Sequence, residues 1–413
     1  MYFKLAWRNI WRNWRRAVIT MAAIMFAVFL TIIMRGMQLG TYDKNIQSTL
    51  DMMTSYLQIQ VVGYLDNPTL RKTFDYDNKI KSILNSEEKV IAYTPRINAD
   101  GLIGNKTNSF GTGIIAVDPK TESKVSILYK RVKEGEFVNS QNKYGIVVGY
   151  KLLENLAAKI GDEIVILSSG YDGTMGNLKF KIIGKSKFGQ TEFDKMSVFM
   201  HIDAARELLS MGNKVSAVAI NIDNLHSSDE VKANLIYKLN SIKLNNDYML
   251  SAFDWGELLP SMKQSIEFDN AQGIVMLAIL LAIVAFGILN TVVMSITERY
   301  REFGVLIALG MRQIKLVVVV FIETIFIAFM GSIVGIVGGF FFNYYLLLNP
   351  IKFSGDFAKM YEEFGWEAAM YSSLEPGIFI NTLISIFSIV LVVYFFPAYR
   401  LMKLEALKGI RYT

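Results

Sequence analysis

The chain of 413 residues has no cysteine, two histidines and seven prolines. Without cysteine there can be no disulfide, thiolate metal site, cysteine nucleophile or lipid-modified cysteine; an oxidising compartment is permitted but not indicated. His201 and His226 stand alone, with no HExxH or paired spacing, and read as surface or edge residues rather than metal ligands. A phosphate loop of the form GxxxxGK[ST] is also missing. The stretch GLIGNKT (Gly101–Thr107) lacks that spacing and reads as a turn, so hydrolysis of ATP is not expected of this chain. The apolar segments hold no acid–base pair or metal set, which argues against an intramembrane enzyme.

Apolar residues, by contrast, make up 52% of the chain, and the mean hydropathy is +0.31. That is too greasy for an ordinary soluble protein of this length. Ala17–Met34 is an uninterrupted uncharged run, about 27 Å long as a helix at roughly 1.5 Å per residue, close to the hydrocarbon thickness of a bilayer. Its length exceeds a signal-peptide core and no small-residue cleavage site follows, so it reads as a retained first span. Gly273–Ile296, Ile314–Leu348 and Gly377–Phe396 read as three more. The third run is longer than a span needs, so its first turns, with Lys315, are expected at the interface or in a helix extending from it.

The charges orient these spans. Residues 1–16 hold Lys4, Arg8, Arg12, Arg15 and Arg16 with no acid; 397–413 hold Arg400, Lys403, Lys408 and Arg411 against Glu405. The loop 349–376 is acidic, with Asp356, Glu362, Glu363, Glu367 and Glu375 against Lys352 and Lys359. Basic segments stay inside, so both termini and the link 297–313 are expected in the cytoplasm. The insert 36–270 is left near −1, so the net charge of +6 belongs to the segments flanking the spans, and no nucleic-acid partner is implied. On a helical wheel Phe3, Trp7, Ile10, Trp11 and Trp14 share one arc, with Lys4, Arg8, Arg12, Arg15 and Arg16 beside it. Residues 1–16 therefore read as an interfacial amphipathic helix bracing span one at the membrane surface.

The insert is a domain rather than a loop. Ser55–Val62, Gly145–Gly149, Asp162–Leu167, Leu178–Lys185 and Val215–Ile222 have strand character. Asp77–Asn85, Tyr150–Lys159, Ile202–Met211 and Ser228–Ile242 read as helices. The mixture predicts an α+β domain of two subdomains, with a break near residues 115–125 or 220–230. Its roots, Arg35–Met53 and Trp255–Gly273, can both be helical stalks running into spans one and two, with Pro260 a place for a kink or a start.

The segment after span two, ITERYREFGVLIALGMRQIKLVVVVFIET (Ile296–Thr324), is the most specific in the chain. It resembles the cytoplasmic coupling segment of FtsX-like, MacB/LolC-type ABC transporter permeases, with Glu298, Arg299, Arg301, Glu302, Phe303, Gly304, Leu306, Ala308, Leu309 and Gly310 in register. The opening LAWRNIWRNWRR, QIQVVGYLDNP, GIIAVDPKTE, WGELLP and FFPAYRLMKLEAL are also similar to that family, and YEEFGWEAAMYSSLEP tilts the likeness toward its lipoprotein-releasing members. The resemblance implies an integral membrane α-helical protein of four transmembrane helices, with a large α+β extracytoplasmic domain between the first and second. It implies a type VII system in the bacterial inner membrane: two permease chains, identical or not, with two copies of a separate ABC ATPase that holds ATP and Mg. Nucleotide-driven closure would move the outer domains, and the cargo would be lipoprotein. The alternatives are MacB-like efflux of small molecules or peptides through a periplasmic adaptor, and FtsX-like signalling to a periplasmic enzyme; an outer domain of this size argues for transport.

The residues read in the same direction. Residues 297–313 are too short and too charged to span, and mix Phe303, Leu306 and Leu309 with charges as a helix facing a cytoplasmic partner would. Glu323 is a carboxylate about three turns into the third apolar helix, where it needs a partner or a proton; it either couples that helix to the bundle or sits at the interface. Gly331, Gly335 and Gly339 recur every four residues and offer a face for close helix packing, or for sliding.

Overall fold

The computed structural model describes residues 2–12, 14–105, 107–242, 248–363 and 368–403. Contacts divide the chain into two compact units: Met1–Asp43, Ser265–Lys352 and Ala369–Thr413 form one, Lys44–Gln264 and Phe353–Ala368 the other. The distal part of the tail expectation (Glu405, Lys408, Arg411) and part of the outer loop (Glu367) lie outside the described residues.

The first unit is helical: α1 (Tyr2–Arg12), α2 (Trp14–Thr49), α3 (Pro260–Glu298), α4 (Tyr300–Ala308), α5 (Gln313–Leu348) and α6 (Pro376–Met402). Of these, α2, α3, α5 and α6 are long and apolar enough to cross a membrane by length and composition. Pro260 begins α3, where a proline costs no helix hydrogen bond. The long third run forms one unbroken helix from Gln313. The core of the unit joins Ile24, Val28 and Ile32 of α2 to Ile288 and Val292 of α3, Val320 and Ala328 of α5, and Ile386 and Val390 of α6. Many other apolar side chains face outward, such as Ile283, Phe286 and Phe395.

Gly331, Gly335 and Gly339 all turn toward α2. A Cβ at Gly331 would lie 2.8 Å from the Met21 carbonyl oxygen, one at Gly335 2.7 Å from that of Met25, and one at Gly339 2.8 Å from Ile32 Cγ2. Helices without a hydrophobic drive between them gain contact by such close approach. A second close approach was not foreseen. Asn343, fully buried, donates from Nδ2 to the Ile32 carbonyl (2.9 Å) and occupies the space that a Cβ at Gly36 would need.

The other unit is built on one sheet, with strands β1 (Leu57–Val61), β2 (Val90–Gly104), β3 (Ser109–Val117), β4 (Val132–Gly135), β5 (Gly145–Gly149), β6 (Glu163–Ser169), β7 (Met175–Ser186), β8 (Ser197–His201), β9 (Ala217–Ile222) and β10 (Leu250–Asp254). The order is β10-β1-β9-β2-β3-β8-β5-β7-β4, and β6 pairs with both β2 and β7. Strands β2, β3, β8, β5, β7 and β6 thus close into a ring. The expected two subdomains are replaced by one sheet and one unit. Across 113–117, β3 is bonded to β2 on one side and β8 on the other, and β9 lies inside the sheet between β1 and β2. The helix Pro119–Val125 returns to the sheet through the buried pair Arg96–Glu122.

Several helices end before their apolar pattern does. Tyr150–Asn155 stops short of Lys159 because Ala157 takes a left-handed φ of 50°, and Ile202–Leu208 stops before Ser210 at φ 51°. GLIGNKT is strand through Gly104, and the turn is confined to the residues after it, where Asn105 Oδ1 accepts from the Asn108 N–H (2.8 Å). His201 caps the helix after β8, its Nδ1 accepting from the Asp203 N–H (3.1 Å).

Candidate coupling site

The site lies at the N-terminal end of the helical unit. Helix α1 buries Ala6 and Ile10, while Trp7, Trp11, Trp14, Arg8, Arg12 and Arg15 are exposed and Arg16 is partly buried. Its neighbour is α5 rather than the first span: Phe3 and Trp7 meet Phe326 edge-on at 6.0 Å, and Asn9 Nδ2 donates to Glu323 Oε1 at 2.6 Å. Ile10, read as part of the aromatic arc, points into the protein instead, because the helix rests on its Ala6–Ile10 edge.

Glu323 is 7% exposed, and its second donor is Arg299, 8% exposed, whose Nη1 gives bonds of 2.9 and 3.3 Å to the two carboxylate oxygens. Arg299 occupies the break between α3 and α4. Its guanidinium carbon lies 4.9 Å from the centre of the buried Phe303 ring, and its Nε is 3.5 Å from Glu302. A buried carboxylate at this depth is tolerable when paired and hydrogen-bonded, and here it has both. Glu302 also accepts from Arg12 Nη2 at 2.8 and 2.9 Å, and Arg16 pairs with Glu298. The Arg12 guanidinium holds the Glu302 carboxyl below its ordinary range. Three acid–base pairs therefore gather α1, the start of α2, α3, α4 and α5. A cavity of about 50 Å³ beside Asn9, Arg16, Ser295 and Glu323 is roomy enough for water.

The motif residues separate into two sets. Glu298, Arg299, Glu302, Phe303 and Gly304 engage the chain itself or are buried, whereas Arg301, Ala308, Leu309 and Gly310 are exposed, with Leu306 between the two. Leu309 is 79% exposed, which is costly for a leucine with nothing to cover it. Gly310 ends α4 at φ 95°, the left-handed terminus that glycine adopts without strain. The acids were read as charges offered to a partner. The structure pairs both with arginines of the same chain, Glu298 with Arg16 and Glu302 with Arg12, while leaving the carboxylates about half exposed. Asn9 escaped the sequence reading; its contact with Glu323, 314 residues away, left no signal in the local pattern.

The family model of the MacB-like periplasmic core domain matches residues 17–236, and that of the FtsX-like permease C-terminal region matches 274–406. The chain belongs to this family of type VII ABC transporter permeases. This permease is 21% identical to the lipoprotein-releasing system transmembrane protein LolC of Xylella fastidiosa (strain Temecula1), over 97% of this chain and 95% of that one. It is 23% identical to LolC of Neisseria meningitidis serogroup B, over 78% and 75%. To the macrolide export ATP-binding/permease protein MacB of Aggregatibacter actinomycetemcomitans it is 20% identical, over 81% of this chain and 51% of that protein. Residues 298–310 and the Arg299–Glu323 pair fall inside the FtsX-like match, while Asn9, Arg12 and Arg16, which complete the site, lie outside it.

Proposed function

We propose that the chain is the permease subunit of a lipoprotein-releasing system in a bacterial inner membrane, converting ATP hydrolysis in a separate ATPase into motion of its periplasmic domain. Both termini are cytoplasmic in this reading, ATP and Mg reside in two ATPase copies, and a second permease completes the assembly. The observation that carries the reading is the division of the coupling segment. One face, with Arg301, Ala308 and Leu309, is open to a partner, while the opposite face is tied through Arg299 to Glu323 and so to α5. A displacement of α4 by a partner would pass directly into the spans. Similarity to LolC along nearly the whole chain supports lipoprotein as cargo.

Purification of the tagged chain in mild detergent, followed by mass spectrometry, is expected to recover an ABC ATPase together with lipoproteins. An ATPase with a periplasmic adaptor would favour the efflux reading suggested by MacB, and absence of any ATPase would sink both. The cleanest coupling variant is Arg301→Glu. Arg301 is exposed, so reversal is expected to abolish cargo-coupled ATPase turnover while leaving insertion and the thermal midpoint unchanged. Wild-type turnover in that variant would refute the assignment of this face.

A further inference from the structure

Helix α1 carries three stripes of side chains, and the chain itself accounts for only part of them. At roughly 100° per residue, Ala6 and Ile10 lie on the buried edge, Phe3, Trp7 and Trp11 on the next, and Lys4, Arg8 and Arg12 beyond those. The buried edge rests on α5, with Asn9 beside it on Glu323. Arg12, at the end of the cationic stripe, is bound to Glu302 of α4. Lys4 and Arg8 are exposed and have no carboxylate partner among the described residues. Each stands two positions from a residue of the buried edge, Lys4 from Ala6 and Arg8 from Ile10, and so lies roughly 160° around the helix from it.

The neighbours of α1 set the direction in which these stripes follow one another. Phe3 and Trp7 meet Phe326, which lies beyond Glu323 in the uncharged part of α5, and Trp7 meets Trp11 edge-on at 5.9 Å. Arg12 lies on the other side, against α4. The exposed surface of α1 therefore passes from an aromatic edge level with the apolar body of α5, through Lys4 and Arg8, to the charged end of the bundle. That is the order of layers at a bilayer boundary: acyl chains, phosphate, water. Phe3 and Trp11 are 67% and 54% exposed, a large apolar area for water to cover.

We propose that Lys4 and Arg8 bind the phosphate of an anionic phospholipid of the cytoplasmic leaflet, whose acyl chains lie against Phe3, Trp7 and Trp11. The inference rests on the membrane placement given above and is independent of the cargo. Charge complementarity selects the class of lipid. Residues 1–16 contain no acid and Glu302 is taken by Arg12, so the ammonium of a zwitterionic headgroup finds no partner on this edge. A guanidinium presents paired donors that suit phosphate oxygens. A soluble polyanion would satisfy Lys4 and Arg8 but leave the aromatic edge in water, whereas a lipid covers both. Such a lipid holds α1 from the side away from α5, one turn from Arg12, and steadies the helix through which Arg12 grips α4.

The test reconstitutes the full chain in phosphatidylcholine nanodiscs. A minor fraction of the lipid is brominated in its acyl chains, as either phosphatidylglycerol or phosphatidylcholine, and quenching of tryptophan fluorescence is followed as that fraction rises. Three of the five tryptophans, Trp7, Trp11 and Trp14, lie in or beside α1. At about fivefold in affinity per cation beside anionic lipid, brominated phosphatidylglycerol should reach half-quenching at a mole fraction roughly twentyfold lower than brominated phosphatidylcholine. Lys4→Gln with Arg8→Gln should erase the difference, and Lys4→Arg with Arg8→Lys should retain it; both positions are exposed, so melting curves should match wild type. The proposal is overturned if the two lipids quench wild type alike, or if the glutamine variant keeps the preference. It is also overturned if inorganic phosphate relieves the quenching more than sodium chloride of equal ionic strength, which would make the ligand a soluble phosphate. No quenching by either lipid would remove α1 from the membrane, and the inference with it. None of these outcomes depends on recovery of an ATPase or of lipoproteins, so the cargo reading stands or falls separately.

Discussion

The two ends of the helical unit are held by different chemistry. At the N-terminal end full charges are paired: Arg299 with Glu323, Arg12 with Glu302 and Arg16 with Glu298. At the opposite end the charged groups Arg35 and Asp269 are bonded to amides and a hydroxyl of α2 and α3. Arg35 Nη1 donates to the amide oxygens of Gln38 (2.7 Å) and Asn270 (2.8 Å), Gln38 Nε2 donates to Asp269 Oδ2 (3.2 Å), and the Tyr42 hydroxyl donates to the same carboxylate. Residues 371–373 are fastened there too, the Ser373 N–H donating to the Gly36 carbonyl (2.9 Å) where Gly40 leaves room for the chain to pass. Direct ion pairs act over distance and depend on salt, whereas hydrogen bonds between a charge and a neutral amide or hydroxyl act mainly at contact. The first end suits a joint whose partners are displaced and re-engaged, the second a fixed clamp.

The largest effect that would break this comparison is at Glu323. Its removal in Glu323→Ala leaves the Arg299 guanidinium buried without a counter-charge, at a cost of about 3–5 kcal/mol. Thermal unfolding of the full chain in detergent should show it. The double variant Glu323→Leu with Arg299→Met should recover most of the loss, since a buried ion pair adds little net stability over apolar groups of similar size. It should nevertheless fail in coupled ATPase turnover, because the link from α4 to α5 is gone. If Glu323→Ala melts like wild type, the pair is not buried as described.

The two ends also differ in how far the sequence revealed them. The charged end was legible because charge is rare in an apolar setting: Glu323 called for a partner, and the motif from Glu298 to Gly310 marked the segment that supplies one. What could not be read was which member of the motif turns inward, since that depends on the break at Arg299 between two helices. The amide-linked end was hidden, because Gln38, Tyr42, Asp269 and Asn270 are ordinary residues whose meaning comes only from the crossing of helices more than two hundred residues apart. Gly36 and Asn343 were missed for the same reason, each explained only by the other. In the sheet unit, alternation found five of the ten strands of the sheet and not their order. The pairings that close the ring, β3 parallel to β8 and β5 parallel to β7, are non-local and leave no periodic trace.

A smaller effect sharpens the contrast from the clamp side. Asp269→Ala removes the acceptor used by both Tyr42 and Gln38 and should destabilise the chain by about 1–3 kcal/mol. The loss should be similar in low and high salt, because the bonds are short-range. A strongly salt-dependent loss would mean that Asp269 acts as a charge rather than as a hydrogen-bond acceptor.

The smallest expected change in stability is at the exposed pair of the N-terminal end. Arg12 and Glu302 are 52% and 50% exposed, so Arg12→Gln should cost less than about 1 kcal/mol. Its effect on coupling should be larger than that figure suggests. Arg12 is the contact by which α1 holds the outward edge of α4, and with it gone Glu302 keeps only the longer approach of Arg299. Coupled turnover of wild type should therefore fall toward that of Arg12→Gln as sodium chloride approaches 1 M, where screening acts over about 3 Å, while the variant itself barely responds. If both respond equally to salt, the exposed pair is an anchor for α1 and the joint resides in Arg299 and Glu323 alone.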